Sequence, residues 1–179
     1  ISYIISEVEN LRRIAQEFMT LARESEAHRE KFELAGVVEE LIEPYQSTLE
    51  GRITITFKKS GEDFTLFGDR EKIKIAIRNL LINSIEAIKG KGQIDFVLEA
   101  SPEAVKLEIK DNGTGIPPEM TEHLFEPYFS TKEKGTGLGL AICKRIVEEN
   151  GGSIQIESQP EQGTRVILTF PRRAENQTS

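Results

Sequence analysis

The stretch that decides the fold is "FSTKEKGTGLGLAICKRIVEENGG", residues 129–152. Gly135, Gly137 and Gly139 stand directly before the apolar positions of a helix predicted over about residues 138–150. A glycine inside a helix costs roughly 1 kcal/mol relative to alanine, so these glycines are expected before the helix or at its first residues. A helix start offers free N–H groups and a positive dipole end, and glycines let a phosphate reach them. The pattern predicts an anion site that is neither a P-loop nor a dinucleotide fingerprint, because no Gly-Lys-Ser/Thr follows and no apolar strand leads directly into it.

The composition describes an acidic chain that can bury one core. With 179 residues and 37% hydrophobic side chains, the chain does not depend on disulfides or metals for stability. Its 30 acidic residues outnumber 23 basic ones, so no nucleic-acid partner is expected. No apolar run is long enough to span a membrane, and Cys143 is expected to be buried in a reducing compartment. Because the chain opens at Ile1, we expect a fragment of a longer protein.

Residues 1–31 are predicted to form one long helix. Apolar residues recur there at alternating spacings of three and four, and additional ones widen the stripe toward that of a four-helix bundle. One such helix cannot bury its own face, so its partner is either a second copy of the chain or sequence upstream of Ile1. The polar tail, residues 173–179, is predicted to be disordered.

Residues 32–172 are predicted to form a single α+β domain. The first helix contains Pro44 and is expected to break or bend there. Asp69 is expected to cap the next helix, which should stop at Gly90. The remaining predicted elements are strands near residues 53–57 and 64–69, a hairpin over residues 93–111, a short helix over residues 118–125, the helix near residues 138–150 and two closing strands.

Asn79 and Asn83 lie four residues apart, hence on one face of the helix after Asp69. Two amides satisfied by a polar neighbour would explain the pair, and such spacing is common. An amide oxygen is also a competent ligand for Mg²⁺, which takes one or two protein oxygens while water and phosphates supply the rest. The pair alone leaves both readings open.

"DNGTGIP" follows an apolar strand and places Asp111, Gly113 and Gly115 at alternate positions. A tight turn is one explanation, since Asp-Asn-Gly is ordinary turn chemistry. A turn rarely needs a second glycine two residues later, however. The aspartate could accept a hydrogen bond from an amino group, and the glycines could leave room for a flat ring.

Aromatic and basic residues flank the glycine-rich stretch. Phe125 and Phe129 are expected to anchor the segment between them by packing on the domain. Lys132 and Lys134 could add positive charge over phosphates, although single lysines are more often solvated.

Taken in order, these motifs resemble the asparagine, first glycine, phenylalanine and second glycine boxes of the sensor histidine kinase catalytic domain. The resemblance covers about residues 32–172 and implies the ATP-binding fold shared with gyrase, the heat-shock chaperone ATPase and the mismatch-repair ATPases. That fold is a two-layer α/β sandwich of the Bergerat type, a mixed sheet with helices on one face. Residues 1–31 then resemble the second helix of the dimerisation and phosphoacceptor hairpin, and the lid, residues 130–136, resembles that of nitrogen-regulatory kinases.

The resemblance implies ATP and Mg²⁺ as cofactors. It assigns Asp111 to the adenine amino group, Gly115 to a clear path for the ring, Asn83 to Mg²⁺, and catalytic roles to Asn79 and Lys132 at the phosphates. The other implied nucleotide contacts are Gly113, Ile116, Phe129, Thr131, Gly135, Thr136, Gly137, Leu138, Gly139, Leu140 and, held more loosely, Thr164.

The implied reaction is phosphoryl transfer to a histidine. In the hydrolysing relatives and related serine kinases a glutamate takes the place of Asn79, and an amide cannot act as a general base. Glu86 is expected to face solvent. The family's phosphoacceptor histidine is followed by an acidic residue, whereas Arg29 follows His28 and Leu124 follows His123. We therefore expect the acceptor helix to lie upstream of this chain, which should not phosphorylate itself.

The resemblance further implies a response regulator receiver domain as partner, a homodimer in the full-length protein, and a cytoplasmic location without membrane contact by this part. Two alternatives remain. One is a hydrolysing ATPase or serine kinase of the same superfamily, which steady phosphate release would reveal. The other is a non-catalytic docking module, which failure to bind nucleotide would favour.

Overall fold

The computed structural model describes residues 28–129 and 137–172, which form four helices and seven strands. The predicted N-terminal helix, apart from its last residues, and the tail at residues 173–179 lie outside the described residues. The elements are β1 (Glu30–Glu33), α1 (Leu34–Thr48), β2 (Ile53–Ser60), β3 (Thr65–Gly68), α2 (Arg70–Ala87), β4 (Gly92–Ala100), β5 (Ala104–Asp111), α3 (Pro118–Thr121), α4 (Gly139–Glu149), β6 (Ser153–Gln159) and β7 (Gly163–Pro171).

Five strands form one mixed sheet in the order β2-β4-β5-β7-β6, and β1 pairs with β3 in a separate antiparallel ribbon. Only the β2–β4 pair of the larger sheet is parallel. Val105, Leu107 and Ile109 on β5 are buried, whereas Lys106 and Lys110, which follow Val105 and Ile109, are exposed. This alternation places the core on one face of the sheet, and the predicted α+β class with a mixed sheet is confirmed.

Helices α2 and α4 pack against each other over that core. Ile77 and Leu81 of α2 and Ile146 of α4 are almost completely buried. Cys143 is buried as predicted, and its thiol donates to the backbone carbonyl of Ala76 at 3.4 Å. Asp69 caps α2 as predicted, because its carboxylate accepts from the Lys72 N–H at 3.0 Å. This cap fixes the first turn of α2, the helix that carries the asparagine pair further along.

The structure differs from the sequence expectations at three elements. Helix α1 continues through Pro44 to Thr48; Pro44 lies on the exposed side, where water can satisfy the carbonyl whose helical partner is missing. Helix α3 ends at Thr121 instead of Phe125. Separate turns, closed by backbone hydrogen bonds, form the chain after it. Strand β1 was not predicted, and it begins at Glu30, two residues before the expected domain boundary.

Arg172 connects the β4–β5 turn to the loop before β3. Its guanidinium donates to the Ser101 carbonyl at 2.8 Å and pairs with Asp63 at 2.6 Å. The pKa of Asp63 is lowered to about 2. The largest cause is the hydrogen bond from the backbone N–H of Thr65, followed by those from the Thr65 hydroxyl and from Arg172. Within the described part of the chain, no helix has the length and apolarity needed to cross a membrane.

Candidate nucleotide site

Asp111 is the last residue of β5 and one of the few buried acidic residues, with only 4% of its surface exposed. Three donors hold its carboxylate. The backbone N–H groups of Gly113 and Thr164 donate to Oδ1 at 2.9 and 3.3 Å, and the Ser84 hydroxyl donates to Oδ2 at 3.0 Å. These donors come from α2, from the loop after β5 and from β7, so the carboxylate has a fixed orientation at the meeting point of three segments.

The glycines after Asp111 serve backbone packing. A Cβ on Gly113 would lie 2.7 Å from the Ala87 side chain, and one on Gly115 would lie 1.9 Å from the Gln159 carbonyl oxygen. Gly115 also has a φ of +66°, which favours glycine. The space that a side chain at Gly115 would need is thus filled by the backbone of Gln159 at the end of β6. The loop is wedged between the end of α2 and that turn.

Ser158 joins the wedged loop to the β6–β7 turn. Its hydroxyl accepts from the Ile116 N–H at 2.8 Å and donates to the Gly163 carbonyl at 2.9 Å, and it lies 2.9 Å from the Thr164 hydroxyl. Ile116 and Thr164, both expected near the nucleotide, therefore meet through one side chain. Sequence reasoning missed Ser158, which only occupies a polar position in the alternation of β6.

The asparagine pair lies on α2 beside Ser84. Asn79 is buried, with 8% of its surface exposed, and its amide nitrogen Nδ2 has no hydrogen-bond partner among the described residues. Asn83 is half-buried one turn later. A buried amide donor without an acceptor destabilises a fold by about 1–3 kcal/mol unless something supplies the acceptor. Glu86, at the end of the same helix, is exposed as expected.

Among the described residues, nothing covers the backbone at the start of α4. Leu138 is buried and positions the helix, Leu140 packs against the core, and no described side chain caps the first turn. A Cβ on Gly139 would meet no described atom within 4 Å, whereas one on Gly137 would lie 2.4 Å from the Tyr128 backbone. Gly137 therefore packs on the preceding segment, and no described residue blocks the helix start at Gly139.

The phenylalanine segment is built from consecutive turns that rest on α4. The ring of Phe125 lies 5.3 Å from the Lys144 ammonium, and Phe129 lies 5.6 Å from the ring of His123. His123 is exposed, and its hydrogen bond with Glu126 raises its pKa above the ordinary value. The Tyr128 N–H donates to the Gly137 carbonyl at 3.0 Å.

The structure thus brings together the predicted residues of the first glycine box with Thr164, and it places the asparagine pair on α2 and the open Gly139 at the start of α4. The described residues include no cluster of three or more His, Cys, Asp or Glu that could hold a metal ion. The lid expectations lie outside the described residues; they concern Thr131, Lys132, Lys134, Gly135 and Thr136.

Comparisons with known proteins agree with this arrangement. Residues 68–174 match the family described as histidine kinase-, DNA gyrase B- and HSP90-like ATPase. Sporulation kinase A of Bacillus subtilis is 32% identical over 174 residues, which cover 95% of this chain and 28% of the kinase. The solved catalytic domain of histidine kinase ThkA is 33% identical with a TM-score of 0.73, covering 80% of this chain and 95% of that domain. ThkA in complex with the response regulator protein TrrA is 30% identical with a TM-score of 0.80, covering 97% of this chain and 50% of ThkA.

The chain belongs to the histidine kinase-, DNA gyrase B- and HSP90-like ATPase family, and within it to the ATP-binding catalytic domains of sensor histidine kinases. The predicted family and fold are confirmed. The chain spans 28% of the length of sporulation kinase A.

Proposed function

We propose that this domain binds Mg²⁺-ATP and transfers the γ-phosphoryl group to a histidine outside this chain, for relay to a response regulator. The observation that carries the proposal is the buried Nδ2 group of Asn79. A fold tolerates such an unpartnered donor when a ligand supplies the acceptor, and a phosphate oxygen is a suitable one. Asn79 lies on the same helix as Ser84, which donates to Asp111, and we assign the Asn79 donor to the phosphate part of the same site.

The phosphate end of the site is assigned to α4 and the asparagine pair. The first N–H groups of α4 lack partners within the helix, and Gly139 leaves them open to an anion. Asn83 would hold Mg²⁺ through its amide oxygen, which suits a cation that keeps most of its ligands from water and phosphate. When bound, Mg²⁺ would neutralise charge on the phosphates. We further assign Lys132 to the phosphates on the basis of the sequence resemblance.

The base end of the site is assigned to Asp111. Its carboxylate is buried and oriented, so it would accept a hydrogen bond from the adenine amino group with little loss of side-chain entropy. The rigid loop that contains Gly113, Gly115 and Ile116 would form one wall of the pocket, because its backbone is tied to Ser158 and to Ala87.

Transfer is favoured over hydrolysis because the site offers no general base on α2. Asn79 is an amide, and the exposed Glu86 lies two turns further along the helix. The acceptor would be a histidine of a dimerising helical hairpin in the full-length protein, since neither His28 nor His123 is followed by an acidic residue. The complex of ThkA with TrrA supports a receiver domain as the next acceptor. We place this reaction in the cytoplasm.

Calorimetric titration with a non-hydrolysable ATP analogue tests the proposal. The parent chain should bind in the presence of Mg²⁺, Asp111→Asn should abolish binding, and Asn83→Ala should remove its dependence on Mg²⁺. Asp63→Asn, an equivalent change at the far end of the sheet, is the control and should bind normally. Absence of binding to the parent at millimolar nucleotide would refute the proposal and favour a docking module.

A second assay separates transfer from hydrolysis. The chain with ATP alone should neither label itself nor release phosphate steadily, whereas an added histidine hairpin of a related kinase should become labelled. Steady phosphate release by the parent that Asp111→Asn abolishes would instead identify a hydrolysing ATPase.

A further inference from the structure

We propose that Ser84 is a positioning residue that sets the preference of this site for adenine over guanine. This inference rests on the proposed function, because it concerns how Asp111 recognises the base. Ser84 lies on α2 directly after Asn83, is only 4% exposed, and was not among the residues that the sequence analysis assigned to the site.

The carboxylate of Asp111 has one acceptor position left after its contacts with the described residues are counted. A carboxylate offers about four lone pairs, two on each oxygen. The N–H groups of Gly113 and Thr164 both occupy Oδ1, and the Ser84 hydroxyl occupies one position on Oδ2. Among the contacts made by the described residues, the remaining acceptor position is therefore on Oδ2, the oxygen that Ser84 holds.

Rotation about the bond between Cβ and Cγ moves both oxygens of the carboxylate. The two backbone donors restrict this rotation only in part, because Gly113 belongs to the same loop as Asp111 and the bond from Thr164 is long, at 3.3 Å. The hydrogen bond from Ser84 at 3.0 Å restricts the rotation further, because it attaches Oδ2 to a different element of the fold. Ser84 thereby helps to hold the open acceptor position of Asp111 in one direction.

Adenine and guanine differ in the group that would face the carboxylate of Asp111. Adenine carries an amino donor on C6, whereas guanine carries a carbonyl acceptor there. A fixed carboxylate accepts from the adenine amino group and repels the guanine oxygen, so orientation increases discrimination from both sides. A carboxylate that is free to turn would lose part of the attraction and could avoid part of the repulsion.

The test compares the affinity of the chain for ATP and GTP analogues with Mg²⁺. In Ser84→Ala the affinity for the ATP analogue should fall about tenfold, as expected for loss of a hydrogen bond to a charged group. Binding of the GTP analogue should weaken less or improve, so the ratio of the two affinities should fall at least about fivefold. Ser101→Ala is the control, because Ser101 also donates to a carboxylate, that of Glu103, at the opposite end of β5.

A matched pair separates the hydroxyl from side-chain volume. Ser84→Thr and Ser84→Val have nearly the same shape, so any steric effect on folding is shared, and only the threonine can donate to Asp111. Thr should retain the preference for ATP and Val should lose it. If Thr and Val show the same ratio of affinities, or if Ser84→Ala leaves the ratio unchanged while the parent binds ATP, the inference is wrong and the proposed function stands. If the parent binds neither nucleotide, the proposed function itself fails.

Discussion

Replacing Gly115 with alanine should destabilise this domain severely, although glycine and alanine differ by one methyl group. The new Cβ would lie 1.9 Å from the Gln159 carbonyl oxygen, whereas carbon and oxygen atoms ordinarily approach to about 3.3 Å. The loop and the β6–β7 turn must therefore separate by more than about 1 Å. Alanine at the φ of +66° adds strain of roughly 1–2 kcal/mol.

The separation breaks the hydrogen bonds that cross this interface. The Glu161 N–H donates to the Thr114 carbonyl at 2.8 Å, and the Ile116 N–H donates to Ser158 at the same distance. Each such bond contributes about 1 kcal/mol net. Together with the backbone strain, the expected loss is about 3–4 kcal/mol, a large share of the stability of an ordinary domain.

Urea denaturation of the nucleotide-free chain, followed by circular dichroism, measures this loss. Gly36→Ala is the matched control, because its Cβ meets nothing within 4 Å on the exposed side of α1, and it should stabilise by about 0.5–1 kcal/mol. Gly139→Ala should leave stability within about 0.5 kcal/mol and weaken nucleotide binding instead. A loss below about 1 kcal/mol for Gly115→Ala would show that the loop is not wedged as described.

Three further predictions concern single side chains. Asn79→Leu should stabilise the nucleotide-free chain by about 1 kcal/mol, because it removes a buried amide N–H group that has no partner among the described residues, and should abolish nucleotide binding; reduced stability in urea would contradict this. Because the pKa of Asp63 is lowered to about 2 from 3.8, its stabilising contribution is present above pH 3.8 and is lost as the pH falls toward 2, so acid titration should destabilise the parent more than Asp63→Asn. The raised pKa of His123 makes its contribution complete below pH 6.5 and lost as the pH rises through the folded value; NMR titration should show a pKa above 6.5 that Glu126→Gln lowers, and no change in that variant would contradict the assignment.

The sequence predicted those features that depend on neighbours along the chain. The 2-residue alternation of β5 and the cap at Asp69 are local patterns, and both are present in the structure. Strand β1 escaped prediction because only Phe32 of its four residues is buried, so it is too short to show an alternation. The helix is not broken at Pro44 because this residue lies on the exposed face of α1, and the sequence alone does not show which face of the helix packs.

The function of the glycines could not be predicted from their spacing. Gly115 contacts Gln159, and Gly137 contacts Tyr128, through backbone approaches that only the folded chain creates. A glycine that fits against another backbone and one that admits a ligand look identical in a sequence. The role of Ser84 could not be predicted either, because its partner Asp111 is 27 residues away in the sequence.

The dispersed origin of the donors to Asp111 has a consequence for how the domain is made. The three donors to the Asp111 carboxylate, Ser84, Gly113 and Thr164, are far from one another in the sequence, and Thr164 lies on β7, the last strand of the described residues. Domains are synthesised from the N-terminus, and contacts distant in sequence form late because loop closure opposes them. A nascent chain that has not yet formed β7 therefore lacks one of the donors to Asp111, and we expect nucleotide affinity to appear only once β7 is in place.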